Sequence, residues 1–261
     1  MRVVITGASA GIGEATAYAF AAQGCELFLV ARRQDRLREV AAECRRRGSP
    51  QAVVSVHDLS VAGEGGRLVG KAIQELDGLD VLICNAGYGV YGPLQEVEPD
   101  EMAAVWQVNF QSGYESIQAA LPHFLEQGKG HLVLVSSVLG KTALPLASPY
   151  CATKFAQVGL GESLWGELRG SGVEVSVICP GYTRTEFQAA SVVTPGASMF
   201  RRVGGDAPER VARAIQWAVE SKRREMLLTV PGKTIALLNR LFPHSTARLV
   251  SWFVQRVRKR E

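Results

Sequence analysis

Two side chains that could exchange a proton with a substrate lie one helical turn apart in this sequence. Tyr150 and Lys154 are four residues apart, which on a helix places both on one face. An ammonium held near a phenol favours the phenolate, so Tyr150 is predicted to exchange a proton near neutral pH. Ser137 lies thirteen residues before Tyr150, at the end of an apolar run. The pair alone also fits an ordinary helix surface, so its interpretation depends on the rest of the chain.

A glycine-rich turn near the N-terminus has the composition of a phosphate-binding loop. Gly7, Gly11 and Gly13 follow a β-branched run and precede a stretch with helical spacing. Gly7 permits a tight turn, Gly11 lets a pyrophosphate approach the backbone, and Gly13 allows helix and strand to pack closely. The helix N-terminus favours anions. The spacing is a variant of the commoner GxGxxG, and the alternative is a turn that binds nothing.

The end of the second apolar run indicates which dinucleotide the chain binds. Many NAD-binding folds place a carboxylate there to hold the ribose hydroxyls. This chain has Arg32 and Arg33, whose guanidinium groups suit a 2′-phosphate. We therefore expect NADP rather than NAD, the alternative being a solvated basic start to the next helix.

Segments with strand and helix patterns alternate along the chain. The predicted strands are 2–6, 25–30, 51–56, 79–84, 131–136, 173–178 and 225–230, and the predicted helices include 34–47, 61–76, 99–127, 148–169 and 207–221. Pro122 is expected to bend its helix, and Ser148 and Pro149 to be the N-cap and first residue of the next. This order predicts an α/β protein with a Rossmann-like, doubly wound parallel sheet, flanked by helices on both faces, in a single domain at 1–232.

Composition and charge argue against several other classes of protein, among them nucleic-acid-binding, metal-binding and membrane-spanning proteins. The net charge of +4 over 261 residues is too small to imply a nucleic-acid partner. The histidines have no metal-ligand spacing, so no metal site is predicted. The five cysteines form no CxxC pair and indicate buried thiols in a reducing compartment. With no secretory signal and no apolar run of about 18 residues, a cytoplasmic enzyme is expected.

Seven motifs in a fixed order resemble those of the short-chain dehydrogenase/reductase family, in its single-domain branch. They cover roughly residues 1–190 and comprise TGASAGIG at 6–13, Asp58-Leu59, NAG at 85–87, Asn109, Ser137, Tyr150-x-x-x-Lys154 and Pro180-Gly181-x-x-x-Thr185. The resemblance implies hydride transfer between a nicotinamide and the carbon of a ketone or alcohol.

The resemblance also implies four catalytic residues. Ser137 would hydrogen-bond the substrate carbonyl oxygen, and Tyr150 would give that oxygen a proton in reduction or take one in oxidation. Lys154 would bind the nicotinamide ribose and lower the pKa of Tyr150. Asn109 would hold a water molecule that joins Lys154 to solvent.

The implied cofactor site follows the ends of the strands. Asp58 would face the adenine amino group beside the Leu59 backbone, and Thr185 would contact the nicotinamide carboxamide. The full set is Gly7, Ser9, Gly11, Ile12, Gly13, Arg32, Arg33, Asp58, Leu59, Asn85, Ala86, Gly87, Tyr150, Lys154, Pro180, Gly181, Thr183 and Thr185.

An irregular segment at 186–206 follows the nicotinamide motif, and in the family this place forms a lid over the substrate. Its apolar side chains, together with those near other strand ends, favour an apolar substrate. They are Phe187, Val192, Val193, Met199 and Phe200 of the lid segment, and Tyr88, Tyr91 and Leu144 elsewhere. A plain surface loop is the alternative.

The tail at 233–261 extends past the family's usual last strand. Apolar residues recur at helical spacing on both sides of Pro243, and the chain is basic at 256–260. Such a tail can lie on an anionic membrane as a peripheral contact. Packing on the body, covering the substrate cleft and joining a subunit interface are the alternatives.

The leading functional hypothesis is an NADP-dependent ketone or aldehyde reductase, which can also run as an alcohol dehydrogenase. A 3-oxoacyl-thioester reductase of lipid synthesis shares the motifs, although the tail departs from the compact C-terminus expected of that subgroup. A dinucleotide-binding regulator without turnover is a third hypothesis. The helices at 99–127 and 148–169 commonly pack between subunits in this family, so a homodimer or homotetramer is expected.

Overall fold

A parallel sheet forms the centre of the computed structural model. The structure describes residues 1–201 and 204–258, with the backbone alone at Arg201. The strands are β1 Arg2–Thr6, β2 Glu26–Ala31, β3 Ala52–Val56, β4 Val81–Cys84, β5 Val90–Tyr91, β6 Gly130–Val135, β7 Val173–Cys179, β8 Val192–Val193 and β9 Glu225–Leu227. Among the described residues, seven of these strands pair in the order β3-β2-β1-β4-β6-β7-β9, and β5 pairs with β8 in a small separate sheet.

Helices cover both faces of the sheet. They are α1 Gly11–Ala21, α2 Gln34–Arg46, α3 Glu64–Leu76, α4 Pro99–Trp106, α5 Ser112–Gln127, α6 Ser148–Glu167, α7 Phe187–Ala190, α8 Pro208–Ser221, α9 Val230–Leu241 and α10 Pro243–Arg258. Within the part of the chain that the structure describes, none of them is both long and apolar enough to cross a membrane.

The core lies in two layers because the strands bury side chains on both faces, as parallel strands do. On one face Phe20 of α1, Leu37 of α2 and Ile215 of α8 are fully or almost fully buried against the sheet. On the other face Leu68 of α3 and Phe124 of α5 are fully buried. The predicted doubly wound α/β fold is confirmed, and the direction of winding reverses between β1 and β4, where such folds bind ligands.

Two helix starts differ from the predictions. The last strand was expected to reach residue 230, but β9 ends at Leu227 and Val230 begins α9, whose first turn is capped by the Thr229 hydroxyl. The boundary predicted after residue 232 therefore falls inside a helix. Ala147, not Ser148, is the N-cap of α6, and Ser148 is already helical.

The predicted long helix at 99–127 is interrupted, although not at its proline. A π-helical segment, Gln107–Gln111, separates α4 from α5, whereas Pro122 lies within α5. π-Helical turns are rare and occur frequently at functional sites. The segment contains Asn109, one of the predicted catalytic residues.

Candidate active site

The carboxyl ends of the strands surround a cavity of about 1350 Å³ beside the point where the winding reverses. All but two of the predicted site residues line it. Those are Gly7, Ser9, Gly11, Ile12, Arg32, Arg33, Asp58, Leu59, Asn85, Ala86, Gly87, Ser137, Tyr150, Lys154, Pro180, Gly181, Thr183 and Thr185. The exceptions, Gly13 and Asn109, lie behind the lining and contact residues that belong to it.

The glycine turn is held tightly between β1 and the end of β4. A Cβ atom at Gly13 would lie 2.2 Å from the Gly7 carbonyl oxygen, so only glycine lets α1 start this close to the strand. Gly7 has a φ of +69°, which glycine adopts without strain. Asn85 donates its side-chain amide to the Thr6 carbonyl at 2.9 Å, and its backbone N–H donates to the Thr6 hydroxyl. The two strand ends are therefore tied together at the turn.

Arg33 connects the glycine turn to the lid segment. Its Nη1 lies 2.7 Å from Glu186 Oε2, and its Nη2 donates to the Ser9 hydroxyl and carbonyl at 3.3 Å. Arg32 lines the same cavity and lies close enough to Asp58 to help lower the pKa of that carboxyl, after the larger effect of two hydrogen bonds from Ser60. Two cations therefore border the end of the cavity that begins at the glycine turn.

Tyr150, Ser137 and Lys154 come together as predicted. Ser137 follows β6, and its hydroxyl caps the next turn by accepting from the Leu139 N–H at 3.1 Å. The Lys154 ammonium lies 5.6 Å from the centre of the Tyr150 ring. It donates to the Val135 carbonyl at 3.0 Å and to Gln157 Oε1 at 2.9 Å.

Burial sets the protonation of this pair. Removal from water raises the pKa of Tyr150 above its ordinary value, and a hydrogen bond with Ser137 opposes that effect. Burial also lowers the pKa of Lys154 to about 7. Burial therefore decides the net direction of the Tyr150 pKa shift in the protein without cofactor, and lowering of that pKa by Lys154 together with the charge of the oxidised nicotinamide ring stays a prediction.

Asn109 is bonded on every side. Its side chain donates to the Tyr88 carbonyl at 2.9 Å and to the Thr153 hydroxyl at 3.1 Å, and it accepts from the Tyr88 N–H at 3.0 Å. Its backbone carbonyl accepts from Gln157 Nε2 at 2.7 Å. Gln157 also accepts from the Lys154 ammonium, so its amide connects Lys154 to the Asn109 backbone, and a water held by Asn109 stays a prediction.

A family match agrees with this geometry. The model of the family described as short chain dehydrogenase matches residues 1–195. The chain belongs to the short-chain dehydrogenase family.

Similar proteins of this family include one curated relative and two solved structures. Hydroxysteroid 11-beta-dehydrogenase 1-like protein A of Xenopus laevis is 34% identical over 260 residues, which cover 97% of this chain and 86% of that protein. An alcohol dehydrogenase from the archaeon Thermococcus sibiricus, complexed with 5-hydroxy-NADP, has a TM-score of 0.76 at 27% identity, covering 87% of this chain and 96% of that one. A short chain dehydrogenase/reductase from Burkholderia phymatum in complex with NAD has a TM-score of 0.85 at 26% identity, covering 91% and 92%. This short-chain dehydrogenase is therefore an oxidoreductase.

The other half of the dehydrogenase's cavity is apolar. Tyr91 stacks on Phe200 with ring centres 4.6 Å apart, and both Tyr91 and Phe187 pack against the Tyr150 ring at under 6 Å. Tyr88 also lines the cavity, whereas Leu144, Val193 and Met199 support the cluster from behind. Residues 202–203 of the predicted lid and 259–261 of the tail lie outside the described residues.

Several residues of the dehydrogenase's site were not predicted. Gln157 had a detectable signal, because it is a polar residue one turn after Lys154 on the same helix face. Glu186 had none, since its partner Arg33 is distant in sequence. The start of α9 also lines the cavity, through Val230, Gly232 and Ile235 among others, so the tail contributes to the cleft.

Proposed function

We propose that this protein is an NADP-dependent oxidoreductase that transfers a hydride between the nicotinamide and an apolar ketone or secondary alcohol. The observation that carries the proposal is one cavity that joins the glycine turn and two arginines to Ser137, Tyr150 and Lys154. At Gly87 a Cβ atom would lie 3.0 Å from Asn109 Oδ1, so glycine lets this wall of the cavity pack closely on Asn109.

The bound nicotinamide would supply or accept the hydride. The protein's own contribution is at the substrate oxygen, where negative charge develops during reduction. Ser137 donates a hydrogen bond to that oxygen and Tyr150 donates a proton. The raised pKa of Tyr150 supports this role, because it keeps the phenol protonated at neutral pH.

Removal of the Tyr150 hydroxyl tests the proposal. Tyr150→Phe is expected to lower turnover at least ~100-fold, the lower end for general acid catalysis. Tyr18→Phe is the matched control, because Tyr18 lies on α1 with its hydroxyl bonded to Glu14 and does not line the cavity. Cofactor oxidation is measured by absorbance, and near-normal reduction by Tyr150→Phe would contradict the assignment.

The aromatic side chains of the cavity support an apolar substrate of steroid size or a medium-chain ketone. A panel of ketones, sugars and 3-oxoacyl thioesters separates this proposal from the thioester reductase. Good activity on sugars with none on apolar ketones argues against it. Tight NADP binding without turnover of any substrate would favour a regulator.

We propose a homodimer or homotetramer that forms through α4–α6. The support is a row of aromatic rings, in which Trp106, Phe110 and Tyr114 follow one another at 4.9 Å and 6.5 Å. Trp106, Tyr114 and the nearby Phe155 of α6 are more than a third exposed. Light scattering after gel filtration measures the mass, and a monomer at micromolar concentration contradicts the proposal.

We propose a cytoplasmic location with reversible binding to anionic membranes through α9 and α10. The free, buried state of all five cysteines supports a reducing compartment. Residues 230–258 contain five lysines and arginines and no carboxylate. The two helices also expose a set of large apolar side chains, each more than half accessible: Leu237, Leu241, Phe242, Leu249, Trp252 and Phe253. Exposed apolar groups with cations complement an anionic lipid surface.

Vesicle flotation tests membrane binding. The protein is expected to float with vesicles that contain phosphatidylserine and to bind phosphatidylcholine vesicles less. The Trp252→Ser/Phe253→Ser variant loses this binding, whereas Leu94→Ser, at an exposed site elsewhere, keeps it. A protein that does not float contradicts membrane binding, and a mass that halves in the double variant indicates that a second copy covers this surface.

A further inference from the structure

Gln157 is a buried polar residue that the motif pattern does not assign. It lies on α6, three residues after Lys154, and both side chains are 3% exposed. An amide buried to this degree is costly unless its hydrogen bonds are satisfied. Its partners therefore indicate why glutamine is placed there.

The amide joins two of the predicted catalytic residues. Gln157 Oε1 accepts from the Lys154 ammonium at 2.9 Å, and Gln157 Nε2 donates to the Asn109 backbone carbonyl at 2.7 Å. Only this orientation is favourable, since the reverse would place an NH₂ group against an ammonium and two carbonyl oxygens against each other.

Both ends of this bridge are fixed by the fold. The Asn109 carbonyl belongs to the π-helical segment, and the Asn109 side chain is bonded to Tyr88 and Thr153. Lys154 is held on its other side by the Val135 carbonyl at the end of β6. Lys154 thus has one defined position, with Gln157 between it and Asn109.

The surroundings of Lys154 leave the amide as a main source of stabilisation. Tyr150 faces it from the same helix, and the Cys179 thiol at the end of β7 is the titratable group that acts on it from the sheet. Burial raises the pKa of Cys179 to about 12, so that thiol is neutral near pH 7. Among the described residues, no carboxylate lies within ion-pair distance of Lys154.

We infer that Gln157 is a positioning residue for Lys154, whose amide holds the ammonium in place through its own bond to the Asn109 carbonyl. The inference rests on the proposed function, in which Lys154 acts beside Tyr150.

Two near-isosteric substitutions test this role, because they act on Lys154 in opposite directions. Gln157→Met keeps the shape and removes the acceptor, so the pKa of Lys154 falls by about one unit. Gln157→Glu places a carboxylate beside the ammonium and raises that pKa by about 1–3 units. The measurement is ¹³C NMR of the lysine Cε resonances in the protein without added cofactor. The chain has only seven lysines, and Lys154→Arg identifies the signal.

The control is Gln127→Leu, which removes an amide that donates to the Leu79 and Lys129 carbonyls and leaves the Lys154 signal unchanged. The expected order of Lys154 pKa values is Met below Gln below Glu, and the alkaline limb of kcat/KM for NADPH follows the same order. Equal Lys154 pKa values in the three proteins, or shifts of that pKa in the same direction in both variants, overturn the inference. If Gln157→Met does not fold, the upward shift in Gln157→Glu decides. Failure to turn over any ketone would refute the proposed function while the NMR order still tests Gln157.

Discussion

Arg33→Ala separates the ion pair that Arg33 makes with Glu186 from the contact with a 2′-phosphate that we propose for it. The guanidinium lies 2.7 Å from Glu186, and the two side chains are 48% and 56% exposed. An ion pair this exposed contributes ~0–1 kcal/mol to stability, so the variant folds and its Tm changes little. A charge-assisted hydrogen bond to a 2′-phosphate is stronger, at about 1.5–3 kcal/mol. Arg33→Ala should therefore weaken NADPH binding about 10- to 150-fold.

Glu186→Gln should act in the opposite direction. The Glu186 carboxylate bonds the same guanidinium that would take the phosphate, so phosphate binding must break an existing ion pair. Removing the carboxylate avoids that cost, and NADPH binding tightens by up to about fivefold, the equivalent of 1 kcal/mol. NADH, which has no 2′-phosphate, binds both variants nearly as it binds the natural chain.

The assay is a titration of each cofactor, followed by energy transfer from tryptophan to the reduced nicotinamide. Arg36→Ala is the matched control, because Arg36 also lies on α2 and pairs with Glu14 and Glu39 but does not line the cavity. Equal losses of NADH and NADPH in Arg33→Ala, or no loss of either, would refute the reasoning. A preference of the natural chain for NADH would overturn the choice of NADP itself.

Two further predictions concern stability. Gly13→Ala places a Cβ atom 2.2 Å from the Gly7 carbonyl oxygen, so we expect urea unfolding to show a loss of about 1–3 kcal/mol in the free energy of unfolding. Gly159→Ala, in open space on α6, is the control and should be neutral or stabilising. Similar free energies of unfolding for both variants would contradict the packing argument. His131 is 5% exposed, and burial lowers its pKa to about 4. Below the ordinary pKa of about 6.5, His131 takes up a proton in the unfolded chain but stays neutral in the folded one. Its contribution to the free energy of unfolding is therefore fully present above about pH 6.5, and about 3 kcal/mol of it is lost as the pH falls towards 4. His131→Gln should lose less of its free energy of unfolding between pH 7.5 and 4.5 than the natural chain does. Equal losses in the two proteins would contradict this.

The strands and most of the site could be predicted because they depend on local signals. Parallel strands buried on both faces are continuous apolar runs, and their carboxyl ends meet at one edge of the sheet. Residues within two positions after β1, β4 and β6, such as Gly7, Asn85 and Ser137, therefore had to lie near one another. Their convergence follows from topology rather than from detailed packing.

The features that were not predicted depend on contacts between distant segments. The bond between Arg33 and Glu186 joins residues 153 positions apart, and the bond between Gln157 and Asn109 spans 48. The π-helical segment has no sequence signature that we recognised. The two-residue strands β5 and β8 are too short for any alternation pattern, and they exist because they pair with each other.

Thr185, Glu186 and Phe187 are consecutive, yet they touch three different parts of the cleft. Thr185 packs on Gly11, Glu186 pairs with Arg33, and the Phe187 ring lies 5.7 Å from that of Tyr150. The residues that contact the two ends of the cleft are therefore linked through the backbone of this short segment. Replacing Arg33 to change the cofactor also removes the ion-pair partner of Glu186, which is next to Phe187 in the chain. The range of accepted ketones should therefore change as well. Redesign of one end of the cleft requires selection at both.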